Sequence, residues 1–129
     1  MTIIDFAPAL AANITVKRKG STLGAEIRGI DLSQPLGDRL VASLRAALLT
    51  HKVLFFPTQD LDPAAHVSLA EVFGTPTAAH PVMPPYDDRY PQIWQIDNTK
   101  TGARNDIWHT DVTFVARPPL GSILRAIRV

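Results

Sequence analysis

The stretch NDIWHTDVTF, residues 105–114, places His109 and Asp111 one residue apart in a run of β-forming residues. In a strand, side chains alternate between faces. The imidazole and the carboxylate are therefore expected on one side with Thr113, and Trp108, Val112 and Phe114 on the opposite, core-facing side. That spacing suits two adjacent positions around one cation. Iron(II) accepts such a set as part of a facial triad of two histidines and one carboxylate, which leaves three coordination positions open. Zinc is the other metal to weigh, but its sites usually add a nearby second histidine or a cysteine, and neither lies near this motif. A polar strand edge facing solvent satisfies the same spacing with no metal at all, so all three readings stand at this point.

The elements that must position this pair can be read along the chain. ITVKRKGSTLGAEIRGIDL predicts two short strands around a Lys19-Gly20-Ser21 turn, with Gly20 supplying a positive φ. GDRLVASLRAALLTH takes a helical period: Leu40, Leu44, Ala47 and Leu48 form one apolar stripe, and Arg39 and Arg45 look outward. Val53 to Phe56 form a continuous apolar run stopped by Pro57, the pattern of a central strand covered on both faces. LDPAAHVSLAEVFG predicts a helix with Asp62 as N-cap, Pro63 in its first turn and Gly74 just past its end. The proline-rich TPTAAHPVMPPYDDRYP reads as an ordered loop or lid, and a loop this stiff next to the metal motif suits one wall of a pocket. QIWQID, IWHTDVTF and GSILRAIRV then read as three strands. Trp94 and Trp108 are expected in the core.

Composition narrows the classes. A 129-residue chain that is 46% hydrophobic is long enough to bury a core and is poor material for disorder. Its thirteen basic and twelve acidic residues form no long run of one sign, which points away from nucleic acid and from an anionic membrane surface. The absence of cysteine excludes disulfides, thiolate zinc sites and iron–sulfur clusters, and suits a reducing cytoplasm. No apolar run approaches the ~20 residues of a membrane span, and Asp5 stands where a signal peptide carries positive charge.

WHTDVTF resembles the iron-binding segment of the taurine dioxygenase and 2,4-dichlorophenoxyacetate dioxygenase family, the iron(II)- and 2-oxoglutarate-dependent oxygenases. From about Ile14 onward, GAEIRGIDLSQPL, RAALLTHKVLFF, FGTPTAAHPV and PPLGSILRA follow in that family's order and at about its spacing. Such colinearity is far more specific than a His-x-Asp alone. HKVLFF and SILRA look closest to the alkyl sulfate dioxygenases.

The resemblance implies that His109 and Asp111 are two of three protein ligands to Fe(II), with 2-oxoglutarate and O2 as co-substrates. It also implies that Asn105 lines the substrate pocket and that His80 contacts the acidic head group of a sulfonate or sulfate. Met83 stands three residues after His80, where the taurine enzymes carry a tyrosine, so taurine itself is disfavoured. Without the resemblance, His80 reads as a loop histidine bonded to a backbone carbonyl and Asn105 as a turn residue. The family's third histidine and its 2-oxoglutarate-binding arginines match nothing in these residues. His51 suits a helix C-terminus and His66 a solvent-facing helix position.

The expected fold is mainly β with flanking helices, the N-terminal portion of a double-stranded β-helix or jelly roll, with residues 1–129 a single incomplete domain. The expected function is oxidation of a small anionic organic substrate such as an alkyl sulfate or sulfonate. With two ligands of three, these residues are not expected to turn over alone. Strands cut off from their partners also predict self-association, so a homo-oligomer is among the expected partners. Two other readings compete: a non-catalytic truncated fragment, and a jelly-roll ligand-binding module in which His109 and Asp111 only donate and accept hydrogen bonds.

Overall fold

The computed structural model describes residues 14–77, 85–97 and 107–128. His80, Met83 and Asn105 lie outside the described residues. The chain divides into two compact units, the first ending at Phe73 and the second beginning at Gly74.

In the first unit, β1 (Thr15–Arg18) and β2 (Ala25–Arg28) form an antiparallel hairpin with Val16 opposite Ile27 and Arg18 opposite Ala25. Period-two alternation turns Ala25 and Ile27 inward, 0% and 1% exposed, and leaves Lys17 and Arg28 outside. The hairpin loop is longer than the expected turn and closes where the Lys19 N–H donates to the Gly24 carbonyl at 2.9 Å. Gly24, not Gly20, takes the left-handed conformation, at φ 91°. Gly20 is needed for a different reason: a Cβ there would stand 2.8 Å from the Leu23 carbonyl oxygen.

Helix α1 (Asp38–His51) follows the expected stripe, burying Leu44 and Ala47 and half-burying Leu40 and Leu48. Its buried Ser43, the one buried polar side chain among the described residues, donates its hydroxyl to the Arg39 carbonyl at 2.9 Å and is thereby satisfied. The helix ends at Lys52, whose φ of 66° turns the chain while its N–H still donates to Leu48. Strand β3 (Leu54–Phe55) then pairs parallel with β2, Ala25 opposite Leu54. The expectation of a central strand is corrected here. Among the described residues the order is β1-β2-β3, so β3 stands at an edge, and Val53 and Phe55 are 40% and 50% exposed. A continuous apolar run reports low polarity, but the number of neighbours a strand acquires is a tertiary outcome.

Helix α2 (Pro63–Phe73) begins as its caps dictate, with the Ala65 N–H donating to Asp62 Oδ1 at 2.8 Å. Arg45 of α1 closes its far end, donating from Nε and Nη2 to the Val72 carbonyl at 3.0 and 2.5 Å. His66, expected to face solvent, is half-buried. Ile27, Leu44 and Ala47 form the centre of the core, surrounded by Val16, Ile30, Leu36, Leu40, Leu54, Phe56 and Phe73. Gln59 fastens two loops over this core: its Oε1 accepts from the Leu32 N–H at 2.8 Å, and its Nε2 donates to the Ile30 carbonyl at 3.1 Å.

The described residues of the second unit contain turns and bends and no strand, so the three strands expected over 92–97, 107–114 and 121–129 are corrected. β-Propensity is realised only when a neighbouring strand supplies the ladder, and no described segment pairs with these. Residues 86–93 instead fold through successive turns. Tyr86 N–H donates to Ile93, Ile93 N–H to Tyr90 and Tyr90 N–H to Asp87. Asp87 also receives the Arg89 guanidinium, which holds its carboxyl down at about 2. Trp94 is half-buried, but Trp108, expected in the core, is 101% exposed.

Candidate metal centre

Residues 107–114 approach one another through a tight local path. His109 Nε2 stands 3.2 Å from Asp111 Oδ1, both side chains half exposed. The other ring nitrogen, Nδ1, lies 2.7 Å from the Ile107 carbonyl oxygen. A carbonyl oxygen only accepts, so Nδ1 is the donor and carries a hydrogen. In the neutral ring this leaves the lone pair on Nε2, the nitrogen beside the Asp111 carboxylate, available to a cation.

The juxtaposition is the expected one, but its cause is different. No sheet face among the described residues aligns the pair; the chain turns after Asp111, where Val112 takes φ 51°. For a β-branched residue this left-handed conformation costs on the order of 1–3 kcal/mol. Immediately around it, the Thr110 and Thr113 hydroxyls share a hydrogen bond at 2.8 Å. Sequence reasoning gave the threonines no role and had no means of finding the Ile107 carbonyl, which every residue type carries.

The donor set fits a divalent first-row metal. Two donors each about 2.1 Å from one ion and at right angles stand about 3.0 Å apart, close to the observed separation. Imidazole nitrogen and carboxylate oxygen suit iron(II), and an Nδ1 contact to a carbonyl is the kind of outer partner that orients a histidine able to ligate through Nε2. Among the described residues, no group of three His, Cys, Asp or Glu side chains gathers at one point. His51, at the C-terminus of α1, and His66, on α2, belong to the first unit.

Residues 15–129 match the model of the family described as "Taurine catabolism dioxygenase TauD, TfdA family". The chain belongs to this family. Among its curated relatives, an alpha-ketoglutarate-dependent sulfate ester dioxygenase of Pseudomonas putida is 42% identical over 119 residues, covering 91% of this chain and 38% of the relative. An alkylsulfatase of Acinetobacter baylyi is 43% identical over 115 residues, covering 88% of this chain and 35% of the relative. The chain thus spans well under half the length of either relative. A taurine dioxygenase from Burkholderia xenovorans shares the fold, with a TM-score of 0.57 and 42% identity over 61% of this chain and 28% of that one. Among the described residues, no helix is long and apolar enough to cross a membrane.

Proposed function

We propose that this chain supplies part of the active site of an iron(II)- and 2-oxoglutarate-dependent dioxygenase that oxidises a small anionic organic substrate, a sulfate ester before a sulfonate. The observation that carries the reading is the 3.2 Å approach of His109 Nε2 to Asp111 Oδ1, in a chain that matches its family from residue 15 to 129. The names of the relatives, a sulfate ester dioxygenase and an alkylsulfatase, direct the choice of substrate. Iron(II) with 2-oxoglutarate and O2 supplies C–H oxidation coupled to decarboxylation to succinate and CO2. Oxidation at the carbon bearing a sulfate ester makes an unstable adduct that collapses to an aldehyde and sulfate.

His109 and Asp111 bind the metal side by side and leave its other positions to a third protein ligand and the co-substrates. The Ile107 carbonyl keeps the His109 ring oriented. His80 donates a charge-assisted hydrogen bond to a sulfate oxygen, and Asn105 lines the pocket beside it. Met83, three residues after His80, offers a thioether where a second polar contact to the head group would need a donor. The jelly-roll fold and a cytoplasmic location form part of the same proposal.

Anaerobic titration of the chain with Co(II), followed by its visible absorption, tests the centre. Binding should be measurable but weak, because only two protein ligands meet, and 2-oxoglutarate should not be turned over by these residues alone. His109→Ala and Asp111→Ala should each weaken Co(II) binding by more than about tenfold, at least the loss typical of an outer-sphere partner. Equal binding by wild type and both variants would place the metal elsewhere and refute the reading.

A further inference from the structure

We propose that Thr110 and Thr113 are positioning residues for the His109–Asp111 pair: their shared hydroxyl bond, closed over the left-handed turn at Val112, sets the distance between the two donors. This rests on the reading of that pair as a metal centre.

The segment gets no help from regular structure. Residues 107–114 belong to no described strand, and His109, Thr110, Asp111 and Thr113 are all exposed. An exposed aspartate on an unpaired segment ordinarily samples several rotamers, and the separation of its carboxylate from a histidine two residues away varies with each. Here Asp111 lies between the two residues that hydrogen-bond across it, Thr110 and Thr113, at 2.8 Å. The bond closes a four-residue loop, and Val112, at φ 51°, folds the chain back inside that loop. The histidine end is fixed separately by Nδ1 on the Ile107 carbonyl at 2.7 Å. Each donor thus has its own restraint: the Ile107 carbonyl holds the His109 ring, and the threonine pair holds the backbone turn that carries Asp111.

Threonine is suited to the task, because its branched Cβ restricts χ1 and so holds the hydroxyl where the partner needs it. Valine has nearly the same shape and no hydroxyl, and serine keeps the hydroxyl but frees χ1. Substitution therefore separates bonding from packing.

The test is Co(II) titration of the chain and its variants, with far-ultraviolet circular dichroism as a check on folding. Thr110→Val and Thr113→Val should each weaken Co(II) binding about twofold to tenfold, the range expected for loss of one hydrogen bond. The double valine variant should be no weaker than either single one, since both singles delete the same bond. Thr110→Ser and Thr113→Ser should bind nearly as the wild type, and none of the dichroism spectra should change. Valine variants that bind as the wild type, or single losses that multiply in the double variant, overturn the positioning role and leave the metal reading intact. A wild-type chain that binds no Co(II) overturns both.

Discussion

Leu44→Ala should be among the most damaging single changes to the first unit, and its cost can be worked from the packing. Leu44 is wholly buried at the centre of α1, where it clusters with Ala47 of the same helix and with Ile27 of β2 across the sheet–helix contact. Truncation removes three carbons, about 2.4 kcal/mol of transfer free energy at about 0.8 per methylene. A cavity term adds to this, and leucine-to-alanine changes in packed cores cost about 2.7–5.0 kcal/mol altogether. The residues around the centre, Val16, Ile30, Leu40 and Leu54 among them, are only partly buried and have room to move inward. The expected loss is therefore at the low end, about 3 kcal/mol. Urea unfolding followed by helical circular dichroism, at a protein concentration low enough to avoid association, measures it against Leu49→Ala. Leu49 is on the same helix but 68% exposed, so its truncation should change stability by less than about 0.5 kcal/mol. A Leu44→Ala loss below about 1 kcal/mol, or one equal to that of Leu49→Ala, would show that this core is not packed as described.

Two further outcomes follow from the hairpin. Hydrogen bonds from Lys19 and from Arg28 hold the Glu26 carboxyl at about 2, below its ordinary 4.5. A carboxyl lowered in the folded state stabilises above its unfolded value, and that contribution drains away as pH falls from 4.5 towards 2. Glu26→Gln should thus be less stable than wild type at neutral pH, with the gap closing through that acid window; parallel acid-unfolding profiles would contradict the assignment. Gly24→Ala should cost about 1 kcal/mol. Its Cβ would meet Phe55 and Lys19 at ordinary distances of 3.5 and 3.6 Å, so the penalty is the φ of 91° alone. An unchanged urea midpoint would sink that account.

What the sequence foretold best was what neighbouring residues decide among themselves. The cap at Asp62, the first-turn Pro63 and the stop at Gly74 act within one helical turn, and α2 begins and ends where they say. The hairpin strands were equally legible, but not which loop glycine takes the left-handed turn, because that depends on how six loop residues close between Lys19 and Gly24. Strand β3 misled because an apolar run says nothing of its position in a sheet. At the candidate centre, the one-residue spacing of His109 and Asp111 suggested proximity, and the two side chains do meet. They meet through a turn at Val112 rather than on a strand face, a route that β-propensity could not foresee in a segment with no described ladder partner. His80 and Asn105 remain assignments by family resemblance alone.

The parallel pairing of β2 with β3 bears on how this chain tolerates added length. Parallel neighbours cannot be joined by a tight turn, so the whole of α1 and its flanking segments must be gathered before Ala25 can meet Leu54. Closing a loop of that size costs about 3 kcal/mol of chain entropy, and the cost grows only logarithmically, by about 0.6 kcal/mol for each doubling. Extra residues inserted just ahead of α1, between Ser33 and Gly37, therefore add little to a cost the fold already meets. The same insertion three residues earlier is a different matter, because Gln59 grips the backbone at Ile30 and at Leu32 and both bonds would be pulled apart. A boundary of one or two residues thus separates a stretch open to insertion from one that is closed to it.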